Sequence, residues 1–209
     1  MSAVSLRPFL PADARRCAEI FRSSINELAA DDYDEEQREA WASRADDEQA
    51  FGARLTGALT LLAMIDGAVA GFASLKGADH VDMLFVDPEF ARQGAGGALI
   101  EALTKLAQAR GAKRLTVDAS DSARPLFERQ GFTAEQRNLV HVGDQWLANT
   151  TMAKTLAGDP TPPTRHRESH GQRSPPRPEE RRRRRRVSKD APERKNGGAP
   201  WGMLRDARP

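Results

Sequence analysis

Three glycines in four positions, Gly94, Gly96 and Gly97, follow Arg92 and Gln93 and lead into an apolar helical pattern. A glycine loop feeding a helix exposes backbone N–H groups that have no helical partner. Those donors, together with the helix dipole, make an anion site. Glycine lets a ligand approach the main chain closely, and Arg92 adds a cation able to grip a phosphate at two points. The same glycines would also serve a tight turn or close helix packing. The nucleotide pattern G-x-x-x-x-G-K-[ST] is absent. The stretch GAGGAL lacks only the last glycine of the dinucleotide fingerprint G-x-G-x-x-G. The first glycine of that fingerprint follows its strand directly, whereas here Asp87 to Gln93 separate Val86 from Gly94.

The elements that must position this loop are legible from periodicity. Val4 to Arg7 reads as a short strand ended by Pro8 and Pro11. Ala12 to about Ala29 carries Cys17, Ile20, Phe21, Ile25 and Leu28 at helical spacing. Asp34 to Ala45 and Ala50 to Leu55 read as two further helices. LTLLAMI, Asp66-Gly67 and AVAGFASL form a hairpin signal, and HVDMLFV (80–86) is the next strand. Gly96 to Arg110 is an amphipathic helix with Leu99, Ala102, Leu103, Leu106 and Ala107 on one face, closed by Gly111. LTVDA (115–119) is a strand and SARPLFERQ a short helix. A last hairpin turns at Gly143-Asp144, with His141 and Trp146 as strand residues beside it. The order is one strand, three helices, three strands, helix, strand, helix and two strands. It predicts a mixed α/β (α+β) domain.

The stretch VDPEFARQGAGGALIEAL resembles motif A of the GNAT superfamily of acetyl-CoA-dependent N-acetyltransferases. Its usual pattern, [QR]-x-x-G-x-[GA], falls on Ala91 to Gly96. SARPLFERQGF (122–132) resembles the helix and Gly-Phe segment that follows in that family, and the order of elements agrees over about residues 4–155. The order DMLFV, LTVDAS, ARPLFERQGF is further similar to the bacterial YafP-like subgroup. The resemblance implies the acyl-CoA N-acyltransferase fold, a central, mostly antiparallel twisted sheet with flanking helices. It also implies acetyl-CoA as co-substrate and an amine acceptor. Arg92, Gln93, Gly94, Ala95, Gly96 and Gly97 would then hold the coenzyme pyrophosphate. Leu84, Phe85 and Val86, on a strand splayed from its neighbour, would pair with the pantetheine arm and polarise the thioester carbonyl. Ser120 and Phe127 fall on coenzyme-facing positions where many members have Asn and Tyr. Ala91 stands where Gln or Arg is preferred.

Acetyl transfer needs a neutral amine, a route for its proton and something to meet the departing thiolate. His80 and Asp82 share one side of a strand by alternation and precede the thioester position. Tyr33, the sole tyrosine, lies in the segment that overhangs the acceptor pocket in this fold. These three are the candidate catalytic residues, each with a bland alternative: a solvated strand start, a structural hydrogen bond and a surface tyrosine. Phe127 cannot protonate a thiolate. A coenzyme thiol near the cysteine value of roughly 8.5 lets water suffice. The acidic run Asp31 to Glu36 reads as a solvated face, with attraction of a cationic amine as the other reading. One cysteine and four dispersed histidines suggest no metal site.

Charge is uneven. Residues 158–209 carry 15 Lys/Arg against 7 Asp/Glu, which leaves 17 against 23 for residues 1–157. The tail is Pro- and Arg-rich and nearly free of aliphatic residues, so residues 158–209 are expected to be a disordered basic tail beside a 1–157 domain. Arg181 to Arg186 would bind polyanions in a salt-sensitive way or be a dispensable extension. The lone Cys17 excludes an internal disulfide, and no apolar run reaches the roughly 18–20 residues of a membrane span. The expectation is a cytoplasmic enzyme, monomer or homodimer. The alternatives are an acyl-CoA-binding domain without catalysis and a nucleic-acid-associated protein.

Overall fold

The computed structural model describes residues 3–156. The proposed tail, residues 158–209, lies outside them. The elements are β1 (Ser5–Pro8), α1 (Ala14–Leu28), α2 (Glu35–Ala42), α3 (Glu48–Thr56), β2 (Leu59–Ile65), β3 (Ala68–Lys76), β4 (His80–Val86), α4 (Ala95–Ala109), β5 (Arg114–Ser120), α5 (Arg124–Arg129), β6 (Thr133–Val142) and β7 (Gln145–Thr155). The order matches the sequence expectation, with 3-10 turns added at residues 11–13, 43–45 and 88–90. The seven strands form one sheet in the order β1-β2-β3-β4-β5-β7-β6. Every neighbouring pair is antiparallel except β4 and β5.

Local chemistry explains the boundaries. Asp66 and Gly67 have φ of 49° and 83°, the left-handed pair that a two-residue hairpin needs. Asp34 caps α2 reciprocally. Its side chain accepts from Gln37 N–H at 2.8 Å, and the Gln37 side chain accepts from Asp34 N–H at 3.1 Å. Gly111, at φ 83°, ends α4.

One core lies on each face of the sheet. On one side α1, α2 and α3 bury Cys17, Ile20, Phe21, Ile25, Trp41 and Phe51 against Phe72, Met83 and Phe85. On the other, α4 and α5 bury Leu99, Ile100, Leu103 and Phe127 against Val81, Leu115 and Val117. The α4 stripe is rotated from the expected one. Ile100 and Thr104 are buried, while Ala102 and Leu106 are only half-buried. Thr104 tolerates burial because its hydroxyl donates to the Ile100 carbonyl at 2.7 Å. Leu28, expected in the α1 core, is 40% exposed.

Candidate active site

The site begins where β4 leaves β5. Those strands pair only at His80–Thr116 and Val81–Val117, and beyond them they separate. Backbone groups of residues 82–86 on that side lack a ladder partner. A register shift between Ser74 and Leu75 accompanies the separation: Leu75 faces Val81, but Ser74 faces Met83. Asp82 is therefore the extra residue of a β-bulge, which re-aims the strand. Met83 and Phe85 join the α1 to α3 core, while Leu84 and Val86 pack on the α4 side.

Phe85 is fixed by aromatic neighbours. Its ring centroid lies 4.5 Å from Phe21, 5.7 Å from Phe72 and 6.1 Å from Trp41. Such pairs add about 0.5–1.5 kcal/mol each beyond burial. Gly71 of β3 lets the strands approach, since a Cβ there would lie 2.7 Å from the Phe85 carbonyl oxygen.

After β4 the seven-residue interval is a built turn. Asp87 N–H donates to Ala70 C=O at 2.9 Å. The Asp87 carboxylate accepts from Glu89 N–H at 2.9 Å and pairs with Arg16 of α1. Arg92 and Gly94 then take left-handed backbones, φ 62° and 94°. At Gly94 glycine is the residue that does this without cost. Arg92 carries the strain of a non-glycine there. Ala98 N–H donates to Gly94 C=O at 3.0 Å, closing the first turn of α4. The amides of Ala95, Gly96 and Gly97 precede that closure and have no acceptor within the helix.

A cleft of about 540 Å³ runs from this turn across β4 to α1 and α2. Arg92, Gly94, Ala95, Gly96 and Gly97 line one end, Leu84, Phe85, Val86 and Ser120 the middle, and Ser24, Ile25, Leu28, Ala29 and Trp41 the other end. The structure thus brings together nearly all the residues expected at the coenzyme. Gln93 is apart: its side chain donates to the Glu89 carbonyl at 3.0 Å and steadies the turn. Phe127 is buried against Phe132, ring centroids 5.2 Å apart, and borders a smaller cavity of about 40 Å³ in the splay. The α1 and α2 residues were not foreseen as lining. The Trp41 ring packs on Phe85 and also borders the cleft.

The three titratable candidates stand outside the large cleft. Asp82, only 7% exposed at its side chain, accepts from Arg54 of α3 at 2.9 and 3.2 Å. It borders the small splay cavity with Asp118, whose carboxylate accepts from Thr151 at 2.6 Å. His80 Nδ1 lies 3.0 Å from Thr116 Oγ1. Tyr33 is not a surface tyrosine. It is buried, donates its hydroxyl to Ala148 C=O at 2.6 Å and accepts from Asp121 N–H at 3.1 Å. That phenol ties the α1–α2 connection to β7 and to the turn after β5. Arg137 pairs with Asp121 beside it and holds that carboxyl below its ordinary range.

Burial pushes the Tyr33 phenol up to about 12. The unfolded phenol titrates near 10, so Tyr33 contributes stability that is full below pH 10 and is lost as pH rises toward 12. With one tyrosine in the chain, phenolate absorbance reads that group alone. It is expected to stay flat past pH 10 and to rise together with unfolding. Tyr33→Phe should cost about 1–3 kcal/mol, since two part-buried backbone groups lose this partner.

One sheet with a single parallel, splayed junction and a glycine turn at its mouth is the architecture that the resemblance to GNAT proteins implies. The profile of the family described as acetyltransferase (GNAT) domain matches residues 29–156. The chain belongs to this GNAT acetyltransferase family. It is 34% identical over 152 residues to the uncharacterized N-acetyltransferase YafP of Escherichia coli K12, spanning 73% of this chain and 96% of that one. A crystal structure of a GCN5-related N-acetyltransferase from Rhodopseudomonas palustris matches with 58% identity and a TM-score of 0.73, over 75% of this chain and 98% of that one. The fold is also that of the PaiA N-acetyltransferase from Thermoplasma acidophilum, solved in complex with coenzyme A (18% identity, TM-score 0.60, 73% and 99% of the chains).

Proposed function

We propose that the chain moves an acetyl group from acetyl-CoA directly to a primary amine of a small molecule or peptide in a ternary complex. The observation that carries this reading is the single cleft joining the glycine turn, the unladdered part of β4 and the α1–α2 wall. The amides of Arg92 and of Gly94 to Gly97 take the pyrophosphate, and β4 takes the pantetheine arm. A β4 amide polarises the thioester carbonyl as negative charge develops there. The coenzyme A held by the PaiA neighbour supports the choice of co-substrate. Asp82, His80 and Tyr33 hold structure around the cleft in this reading. The thiolate takes its proton from water, because Phe127 has none to give.

Direct transfer is favoured over an acetyl-enzyme by the state of Cys17. It is buried in α1, and burial pushes its thiol up to about 12, so it supplies no thiolate at neutral pH. Initial-rate lines for acetyl-CoA and amine are expected to intersect, and Cys17→Ala is expected to keep kcat within about twofold. Parallel lines with a dead Cys17→Ala chain would overturn the direct mechanism.

Phe127 favours a second reading, acyl-CoA binding without catalysis. Bound coenzyme with no turnover across a broad amine panel would select it. The Arg181–Arg186 run adds weak, salt-sensitive retention on polyanions. We place the enzyme in the cytoplasm, in keeping with one buried free cysteine, as a monomer or homodimer.

A further inference from the structure

We infer that the acceptor is an apolar amine that is already uncharged at neutral pH, an aromatic amine above all. This rests on the acetyltransferase reading and specifies its acceptor. The acceptor end of the cleft is formed by Ile25, Leu28, Ala29, Trp41 and Phe85, with the Ser24 hydroxyl and the Trp41 indole N–H as its polar side-chain groups. Ile25, Ala29, Trp41 and Phe85 are all less than 10% exposed, so this part of the wall is packed, and Leu28, 40% exposed, stands at its opening. Among the described residues lining the whole cleft, the only ionisable side chains are Arg92 and Arg129.

The neighbouring charges are held elsewhere. Asp82 is paired with Arg54, Asp87 with Arg16 and Asp121 with Arg137, while Asp118, beside Asp82 at the adjoining small cavity, accepts from the Thr151 hydroxyl at 2.6 Å. Asp34 caps α2, and the other acidic residues of the α1–α2 connection and first turn of α2 (Asp31, Asp32, Glu35 and Glu36) are exposed. None of them lines the cleft.

Two consequences follow. A cationic ammonium entering this wall loses its hydration without gaining a counter-charge. No carboxylate or imidazole of the lining can strip its proton. A lysine-type amine with a pKa of roughly 10.4 is neutral in only about one molecule in a few thousand at pH 7. An aromatic amine has its lone pair partly delocalised into the ring, is neutral throughout, and presents a flat apolar face to Trp41 and Phe85. Its nitrogen attacks the thioester carbonyl, a C–N bond forms and the C–S bond breaks. One N–H proton passes through water to the coenzyme thiolate. The products are the amide and free coenzyme A thiol, with no further reactant.

The test uses the full chain and acetyl-CoA with two matched series. One runs from aniline to aminonaphthalene, the other comprises the saturated ring amines of the same shape. Thiol release is followed from pH 6.5 to 9.5, and acetyl-CoA binding is measured separately by calorimetry. At pH 7 kcat/KM for the aromatic series is expected to exceed the saturated series by at least about 100-fold. It should be nearly flat with pH, while the saturated series rises about tenfold per unit. Equal or better turnover of the saturated ammonium compounds at pH 7 would overturn the inference. So would tight acetyl-CoA binding with no aromatic turnover, which leaves the family activity intact. Absence of acetyl-CoA binding would instead remove the reading on which the inference rests.

Discussion

Asp82→Ala is expected to lower the unfolding free energy by about 2–4 kcal/mol while leaving kcat of the folded protein within about threefold. The Asp82 side chain is 7% exposed and that of Arg54 25%. Removing one partner of such a pair strands the other, and a buried unpaired charge costs about 3–5 kcal/mol. Water reaching Arg54 lowers that figure. The pair also fastens α3 to the bulge in β4, so its loss loosens the strand that floors the cleft. Arg54→Met should cost a similar amount, and the double variant less than the sum, because the two residues act as one unit. Thermal melts and steady-state rates on the same samples separate stability from chemistry. A fall in kcat beyond 100-fold with an unchanged melting temperature would make Asp82 the proton acceptor and would contradict the structural role.

Much of this architecture could be read from residue spacing. Periodicity placed the elements in order because each helix buries one face against one core, while the strands between the two cores read as apolar runs. Asp66-Gly67 announced its turn through the left-handed backbone that both residues tolerate. Gly94, Gly96 and Gly97 stood out as a glycine turn feeding a helix, and that turn lines one end of the cleft. The features that escaped depend on partners far along the chain. Tyr33 looked exposed within an acidic stretch, but its hydroxyl reaches Ala148 and Asp121. The bulge at Asp82 breaks the alternation along β4, so that Val81 packs on the α4 side and Met83 on the α1 to α3 side. Leu28 fits a core stripe by spacing and yet lies at the cleft, because a helix that borders a pocket has the same apolar periodicity as one packed on both sides.

The central claim is that the main-chain amides after Arg92 hold the pyrophosphate of acetyl-CoA. Its most direct test is calorimetric titration of the full chain with acetyl-CoA, beside the double variant Gly94→Glu, Gly96→Glu. The variant should fold. A Cβ at Gly94 has only the Val4 side chain near, at 3.9 Å, and at Gly96 its close contact is the end of the Leu126 side chain, 2.8 Å away. The left-handed backbone at Gly94 adds a strain of order 1 kcal/mol, which a melting curve reports. Two carboxylates at the amides would repel the phosphates and fill the space they need. The parent is expected to bind acetyl-CoA, and the folded variant at least about 100-fold more weakly, a loss of roughly 2.7 kcal/mol. A folded variant that binds within threefold of the parent would contradict the claim and leave the glycines as a turn alone.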